Sequence, residues 1–289
     1  MPGIAGAGRN GKACLSYTGS MQDTLAHKEA ALREFLEGCD GIAVALSGGV
    51  DSTLLMDVAH EVLGPRALAL TACTASFPER ERLAVRAFCE ERGIRQIEVD
   101  SGEFSVPGFT ENPPDRCYHC KRALFSTLLP LAAAEGISVL AEGSNLDDEQ
   151  DYRPGLAALG ELDIVSPLKR AGFTKGDIRA LSRERGLATW DKPACACLAS
   201  RVPYGTEISP ELLLRIDRAE QCLLDTGIRQ VRVRVHDDLA RIEVAEGDVP
   251  LFASEGFRHG VTACLQELGF TYVTLDLMGY RTGSLTRAL

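Results

Sequence analysis

The sequence predicts an α/β protein, a parallel sheet with helices on both faces, followed by a smaller C-terminal α+β domain. Three observations predict it. Short apolar runs of strand length at 42–46, 67–72, 96–99 and 138–141 alternate with helical patterns, and that alternation is the signature of parallel strands joined by crossover helices. A glycine-rich turn, Ser47-Gly48-Gly49-Val50-Asp51-Ser52, joins the first run to a helix. The pattern then changes after about residue 190, where Pro193, a Cys-x-Cys pair and Pro203 mark a loop-rich junction.

Each element follows in order. Residues 1–20 are rich in glycine, weakly basic and without an apolar core, so they read as a loose extension and not as a secretory signal. Residues 21–38 place Leu25, Ala30, Leu32 and Leu36 near one helical face, and Gly38 and Gly41 end that helix. After the first strand and the glycine turn, residues 53–63 form a helix closed by Gly64-Pro65. The second strand leads to an amphipathic helix over 79–92, ended by Gly93. A third strand, a helix over 123–135 and the fourth strand complete the sheet. Beyond the junction, 210–226 is a helix and 229–235 alternates Arg or Gln with Val, as a half-buried strand does. Residues 239–244 are its neighbour across the turn His236-Asp237-Asp238, 257–269 a helix and 272–277 a last strand. The expected domains are therefore 1–20, an extension; 21–195, the parallel-sheet domain; and 196–289, the smaller domain.

Composition narrows the function classes. The chain of 289 residues carries a net charge of −10, so bulk electrostatics do not favour a nucleic-acid partner. No apolar run reaches the roughly 18 residues a membrane span needs. With no export signal, the ten cysteines do not read as a disulfide framework, and the chain is expected to be cytoplasmic. Cys73, Cys89, Cys222 and Cys264 fall in apolar patterns and are expected to be small buried hydrophobes. Two close pairs differ: Cys117 and Cys120 as CxxC, Cys195 and Cys197 as CxC.

The strand-to-helix turn reads as an anion site. Gly48 and Gly49 let the backbone turn tightly and bring N–H groups near a ligand, and the helix that follows adds its N-terminal donors. Ser47, Ser52 and Thr53 supply hydroxyls. Asp51 is out of place beside an anion unless a cation shares the site, so it is expected to help hold magnesium. GxxxxGK[ST] does not occur, and the turn itself is not a GxGxxG fingerprint.

SGGVDS resembles the signature of the PP-loop ATP pyrophosphatases, which adenylate a substrate oxygen, release pyrophosphate and let a nucleophile displace AMP. The resemblance implies an adenine nucleotide α-hydrolase-like fold. Further stretches resemble one branch, the LarE-type sulfur transferases of nickel-pincer cofactor synthesis: Arg116-Cys117-Tyr118-His119-Cys120-Lys121, Glu142-Gly143-Ser144-Asn145 with Asp147-Asp148, Asp151-Tyr152-Arg153-Pro154-Gly155, Cys197-Leu198-Ala199-Ser200-Arg201, Arg232-Val233-Arg234 and Gly279-Tyr280-Arg281-Thr282-Gly283-Ser284. This branch implies ATP and Mg2+ as cofactors, a pyridinium biscarboxylate mononucleotide as substrate, and a homo-oligomer, with a hexamer among its forms. One ring carboxylate would be adenylated and converted to a thiocarboxylate.

Two sulfur sources stay open on this resemblance. In one, Cys197 or Cys195 gives up its own sulfur. In the other, Cys117, Cys120 and Cys197 (or Cys195) hold a [4Fe–4S] cluster whose open iron carries sulfide; this is the favoured version. A zinc site or plain reduced thiols are the bland readings of the pairs. Ser200, Arg201, Arg232, Arg234, Glu220 and Arg281 are expected at the substrate, arginine being suited to bidentate grip on phosphate and carboxylate; an exposed polar strand face would also explain Arg232 and Arg234. ATP is expected along Ala72 and Thr74 and near Gly143 and Ser144, beyond the carboxyl ends of the strands. Lys121 and Lys175 would reach phosphates, or remain solvated. An NAD-synthetase-like amide ligase would use the same ATP chemistry but leave the cysteine pairs idle. A tRNA thiolase would use the cysteines but fits the acidic balance poorly.

Overall fold

The computed structural model describes residues 21–150 and 155–281. A four-stranded parallel sheet has the order β3-β2-β1-β4, with β1 at Ile42–Ala45, β2 at Ala67–Ala72, β3 at Arg95–Val99 and β4 at Val139–Ala141. Its two central strands are nearly all apolar and buried, as strands covered on both faces must be. On one face pack α1 (Met21–Glu37), α2 (Val50–Leu63), α3 (Glu79–Arg92) and α7 (Lys175–Glu184), with Leu32, Leu36, Leu54, Met56 and Val85 in their shared core. On the other pack α4 (Arg116–Ala134) and α5 (Gly155–Glu161), through Phe125, Leu128 and Leu159 against Leu68, Leu70 and Leu140. The short α6 (Pro167–Arg170) precedes α7.

The second sheet has the order β5-β6-β7. Strands β5 (Val231–His236) and β6 (Leu239–Val244) form the antiparallel hairpin, and β7 (Tyr272–Leu275) runs parallel to β6. Helices α8 (Pro210–Leu224) and α9 (Glu255–Glu267) cover it. Its core also takes in Phe109 and the flanks of Phe104, Val106 and Cys120, so a segment of the first half closes the second. No helix among the described residues is long and apolar enough to cross a membrane.

Four expectations need correction. Helix α4 starts at Arg116, seven residues before the sequence pattern, so the CxxC pair sits on its first turn; Pro113 and Pro114 stand just before it, and the carbonyl of Pro113 accepts the Arg116 amide at 3.0 Å. Helices α5 to α7 are not among the expected elements, although Thr174 and Asp177 form a reciprocal capping box. Cys222 and Cys264 are not separate reduced residues: α8 and α9 pack side by side and their sulfurs form a disulfide. Strand β5 is not half-exposed, because Arg232 and Arg234 are buried along with the valines that alternate with them. The extension 1–20, Asp151 to Pro154 and Thr282 to Ser284 lie outside the described residues.

Candidate active site

At the carboxyl ends of β1, β2 and β4 lies a cleft of ≈ 370 Å³. One wall is the glycine turn. Gly48 has φ +67, and a Cβ there would stand 2.6 Å from Val85 Cγ2, so both backbone and packing require glycine. Gly49 is the N-cap of α2 and offers no side-chain cap, which leaves the first-turn N–H groups to a ligand. Ser52 Oγ ties the turn together, accepting from the Ser47 amide at 3.2 Å and lying 3.0 Å from Ser47 Oγ. Thr53 is buried and donates its amide to the Gly49 carbonyl, so its part is to shape the turn. Gly143, after β4, approaches so closely that its Cβ would lie 2.8 Å from the Ser52 amide nitrogen. Beside it, the buried Glu142 carboxylate accepts from the Ser144 amide at 3.0 Å and Ser144 Oγ at 2.8 Å.

Asp51 and Asp148 both face this cleft. Burial pushes the Asp51 carboxyl up, the Lys175 ammonium bonded to it pulls down, and Asp148 adds to the rise. Magnesium is commonly held by one or two carboxylates plus phosphate oxygens, so this donor set fits a nucleotide-borne Mg2+. Ala72 and Thr74 line the neighbouring wall, together with Ser76 and Glu103. Sequence reasoning does not find Glu103. Its buried carboxylate accepts from the Ser76 amide at 2.7 Å and Ser76 Oγ at 2.5 Å, and burial raises it.

The opposite wall carries sulfur. Cys120, Cys195 and Cys197 line the same cleft as Ser47, Asp51 and Ser52. Burial, then Cys197, Glu103 and Cys117, push the Cys120 thiol up to about 12. Burial and Cys197 also raise Cys117, against Arg116. Cys195 has other neighbours: burial and Glu81 raise it, while Arg201, Arg232 and Arg80 lower it. Among the described residues, no three His, Cys, Asp or Glu side chains are grouped to hold a metal ion. Cys117, Cys120 and Cys197 are electrostatic neighbours of one another, a set of thiols whose chemistry fits an iron–sulfur cluster.

The expected substrate arginines meet protein groups. Arg201, 0% exposed, grips Glu220 with Nε at 2.7 Å and Nη2 at 3.1 Å, while Nη1 reaches the carbonyls of Ala196 (2.7 Å) and Cys197 (2.9 Å) and Ser200 Oγ (2.9 Å). Burial would raise Glu220, but Arg201, Arg232 and Arg80 hold it below the usual carboxylate range. Arg234 bonds Glu243 at 2.6 Å and the Ser200 carbonyl at 2.9 Å. Arg232 bonds the Ala194 carbonyl and lies over the Tyr280 ring at 5.2 Å. These groups gather around the CxC loop. Arg281 is half-buried, and its Nε has no hydrogen-bond partner among the described residues. Lys121 lines the cleft, and exposed His119 pairs with Asp115 at 3.2 Å. Lys192, which sequence reasoning also misses, bonds the Gly48 carbonyl at 2.9 Å and Glu81 as well. A lone lysine in a loop gives no pattern to detect.

Comparison with protein-family models returns no match. Among curated proteins the chain is 43% identical to an uncharacterized Synechocystis protein, over 92% of this chain and 99% of that one. It is 39% identical to the pyridinium-3,5-bisthiocarboxylic acid mononucleotide synthase of Lactiplantibacillus plantarum, over 92% and 96%. It is 30% identical to a chain of the glutamine-hydrolyzing GMP synthase of Thermoplasma acidophilum, over 70% and 69%. With a glycine turn open for phosphate and thiols across one cleft, and with near full-length identity to the Lactiplantibacillus synthase, the chain belongs to the LarE-type family of PP-loop enzymes, which couple ATP to sulfur transfer.

Proposed function

We propose that this enzyme adenylates a carboxylate of a pyridinium biscarboxylate mononucleotide and converts it to a thiocarboxylate, with a cysteine of the CxC loop supplying the sulfur. The single observation that carries the reading is the shared cleft, in which Ser47, Asp51 and Ser52 face Cys120, Cys195 and Cys197. ATP would lie with its adenine along Ala72 and Thr74 and its phosphates on the N–H groups of 48–52, near Gly143 and Ser144. Asp51 would exchange Lys175 for Mg2+, freeing that ammonium for phosphate. The turn N–H groups and cations would then stabilise charge growing on pyrophosphate as the carboxylate oxygen attacks the α-phosphorus.

The acyl adenylate is the activated electrophile. Thiolate of Cys197 adds to its carbonyl carbon and AMP leaves, giving a thioester. Loss of the Cys197 Cα proton to a base then breaks the Cβ–S bond, leaving thiocarboxylate and dehydroalanine. Cys197 is chosen over Cys195 because its neighbours are the other two thiols and because Leu198, next to it, is tethered to the nucleotide wall through the Ser76 carbonyl at 2.8 Å. Ser200, Arg201, Arg232, Arg234, Glu220 and Arg281 would hold and shape the substrate end. The protein would work in the cytoplasm as a homo-oligomer.

The test uses anaerobic, reduced protein with ATP, Mg2+ and the mononucleotide. Pyrophosphate, AMP and thiocarboxylate should appear, and the peptide bearing Cys197 should lose the mass of hydrogen sulfide. Cys197→Ala should still release pyrophosphate but make no thiocarboxylate. Iron with labile sulfide and no mass loss would replace the cysteine donor by a cluster. Absence of substrate-dependent pyrophosphate would end the reading altogether.

A further inference from the structure

The CxC loop is fastened from two directions. Arg201 and Glu220 hold the carbonyls of Ala196 and Cys197 from the side of α8. A second pair holds the segment just after Cys197 from the side of α4. Asn112, 0% exposed, donates Nδ2 to the carbonyls of Val202 (3.3 Å) and Pro203 (2.7 Å), and its own carbonyl accepts the Gly205 amide at 2.9 Å. Its Oδ1 accepts from Arg116 Nη1, which also donates to the Ala199 carbonyl at 3.0 Å. Asn112 has φ +53, a left-handed conformation that costs free energy for any residue but glycine and persists only where its surroundings impose it.

Arg116 is unusual in a second respect. It is 2% exposed, yet its side chain donates to an amide oxygen, a carbonyl and a thiol (Cys117 Sγ at 3.9 Å). Burial works against its charge. A buried guanidinium facing neutral acceptors is a costly way to fill a core, where an apolar side chain of similar size would serve stability better. What it offers instead is a rigid fork of donors with fixed directions. Arg116 immediately precedes Cys117, and Ala199 is two residues beyond Cys197. One hydrogen bond thus closes the span between the CxxC turn and the CxC loop.

We propose that Asn112 and Arg116 form a latch that sets the separation of the CxxC helix and the CxC loop, making them positioning residues for sulfur transfer and not for adenylation. The inference rests on the sulfur-transfer reading above. Neither residue lines the cleft at the nucleotide wall, so adenylation should proceed without them.

Two variants test it. Arg116→Lys keeps the charge and loses the fork. Asn112→Gly relieves the left-handed strain and removes the amide. The first readout is thiocarboxylate formed per pyrophosphate released. Pyrophosphate release should stay near wild type in both variants, while the ratio falls about a hundredfold, the cost of roughly an ångström of misplacement. The second readout needs no substrate: the rate at which the oxidant diamide joins Cys117 to Cys197, mapped by peptide mass. That rate should fall about tenfold in both variants, as expected when two groups lose a fixed approach. Cross-linking unchanged in both variants overturns the latch. So does a parallel loss of adenylation and transfer, which would mark a merely structural role. Wild-type protein that releases no pyrophosphate would sink the functional reading, and the cross-linking rates would still decide the latch.

Discussion

On the phosphate side of the cleft, position is set by backbone. Gly48 and Gly143 stand where a Cβ would meet other atoms at 2.6 and 2.8 Å, and the first turn of α2 has no side-chain cap. On the sulfur side, position is set by buried charge: Arg201 with Glu220, Arg234 with Glu243, and Arg116 among carbonyls. The difference follows from what each wall must hold. A polyphosphate is gripped by N–H groups that belong to every residue, so the wall needs only closeness and a free helix end. A thiol must be aimed, and a loop with few backbone bonds of its own is aimed by side chains that reach its carbonyls. The first wall should therefore fail by steric intrusion and the second by loss of a charge partner.

The largest effect should come from Glu220→Ala. It strands Arg201, 0% exposed, beside Arg80 and Arg232, and breaking a buried pair this way costs about 3–5 kcal/mol. Urea unfolding measures that loss. The paired change Arg201→Met with Glu220→Leu should recover most of the stability while sulfur transfer stays lost, because the carbonyls of Ala196 and Cys197 remain unheld. If the pair restores transfer as well, the charge-aimed wall is a misreading.

Gly143→Ala is the matching break on the other wall. Its new Cβ meets the Ser52 backbone, which cannot yield as a side-chain tip could, so overpacking should cost about 1–3 kcal/mol. ATP binding, followed by calorimetry, should weaken more than reaction of the thiols with an alkylating agent changes. Equal damage to both would erase the contrast between the walls.

Lys192→Met sharpens the comparison at the point where the walls join. Lys192 bonds the Gly48 carbonyl and the buried Glu81, so its removal leaves two acceptors wanting and should cost about 1–3 kcal/mol in denaturant. Adenylation should suffer more than substrate binding, seen as a slower single-turnover release of pyrophosphate with a smaller change in the substrate concentration that half-saturates it.

The smallest effect concerns ion pairs far from the cleft. Arg33 and Arg185 hold the Glu61 carboxyl at about 2, below its ordinary value of about 4.3. A depressed carboxylate stabilises the fold above its unfolded pKa, and that contribution is lost as pH falls from about 4 toward 2. Glu61 is 46% exposed, so screening leaves less than about 1 kcal/mol. Glu61→Gln should flatten the acid limb of a pH–stability curve slightly and leave sulfur transfer alone.

Much of the parallel sheet is legible because its signals are local. The runs that form β1 and β2, the amphipathic pattern of 79–92 and the glycine turn each state their own conformation. The rule for parallel sheets puts Ala72, at the end of β2, and the loop residues Thr74, Gly143 and Ser144 on the rim, and they line the cleft. Strand β5 is legible as a strand but not as a buried one. Alternating Arg and Val looks like a polar face in water, and it is Glu243 on β6, the carbonyls of Ala194, Ser200 and Val231 and the Tyr280 ring that help make burial of those arginines tolerable. Cys222 and Cys264 likewise read as apolar positions until α8 and α9 lie side by side.

The sequence by itself determined the α/β order, the phosphate turn and the stock of thiols, since each is written in neighbouring residues whose backbone preferences and periodicities act over a few positions. Tertiary structure alone decided that Cys120, Cys195 and Cys197 face Ser47 and Asp51 across one cleft, and that Arg116, Arg201 and Glu220 aim the loop between them. Arg116 and Ala199 lie 83 residues apart, and a charge seeks its counterpart by distance in space, for which sequence separation carries no signal.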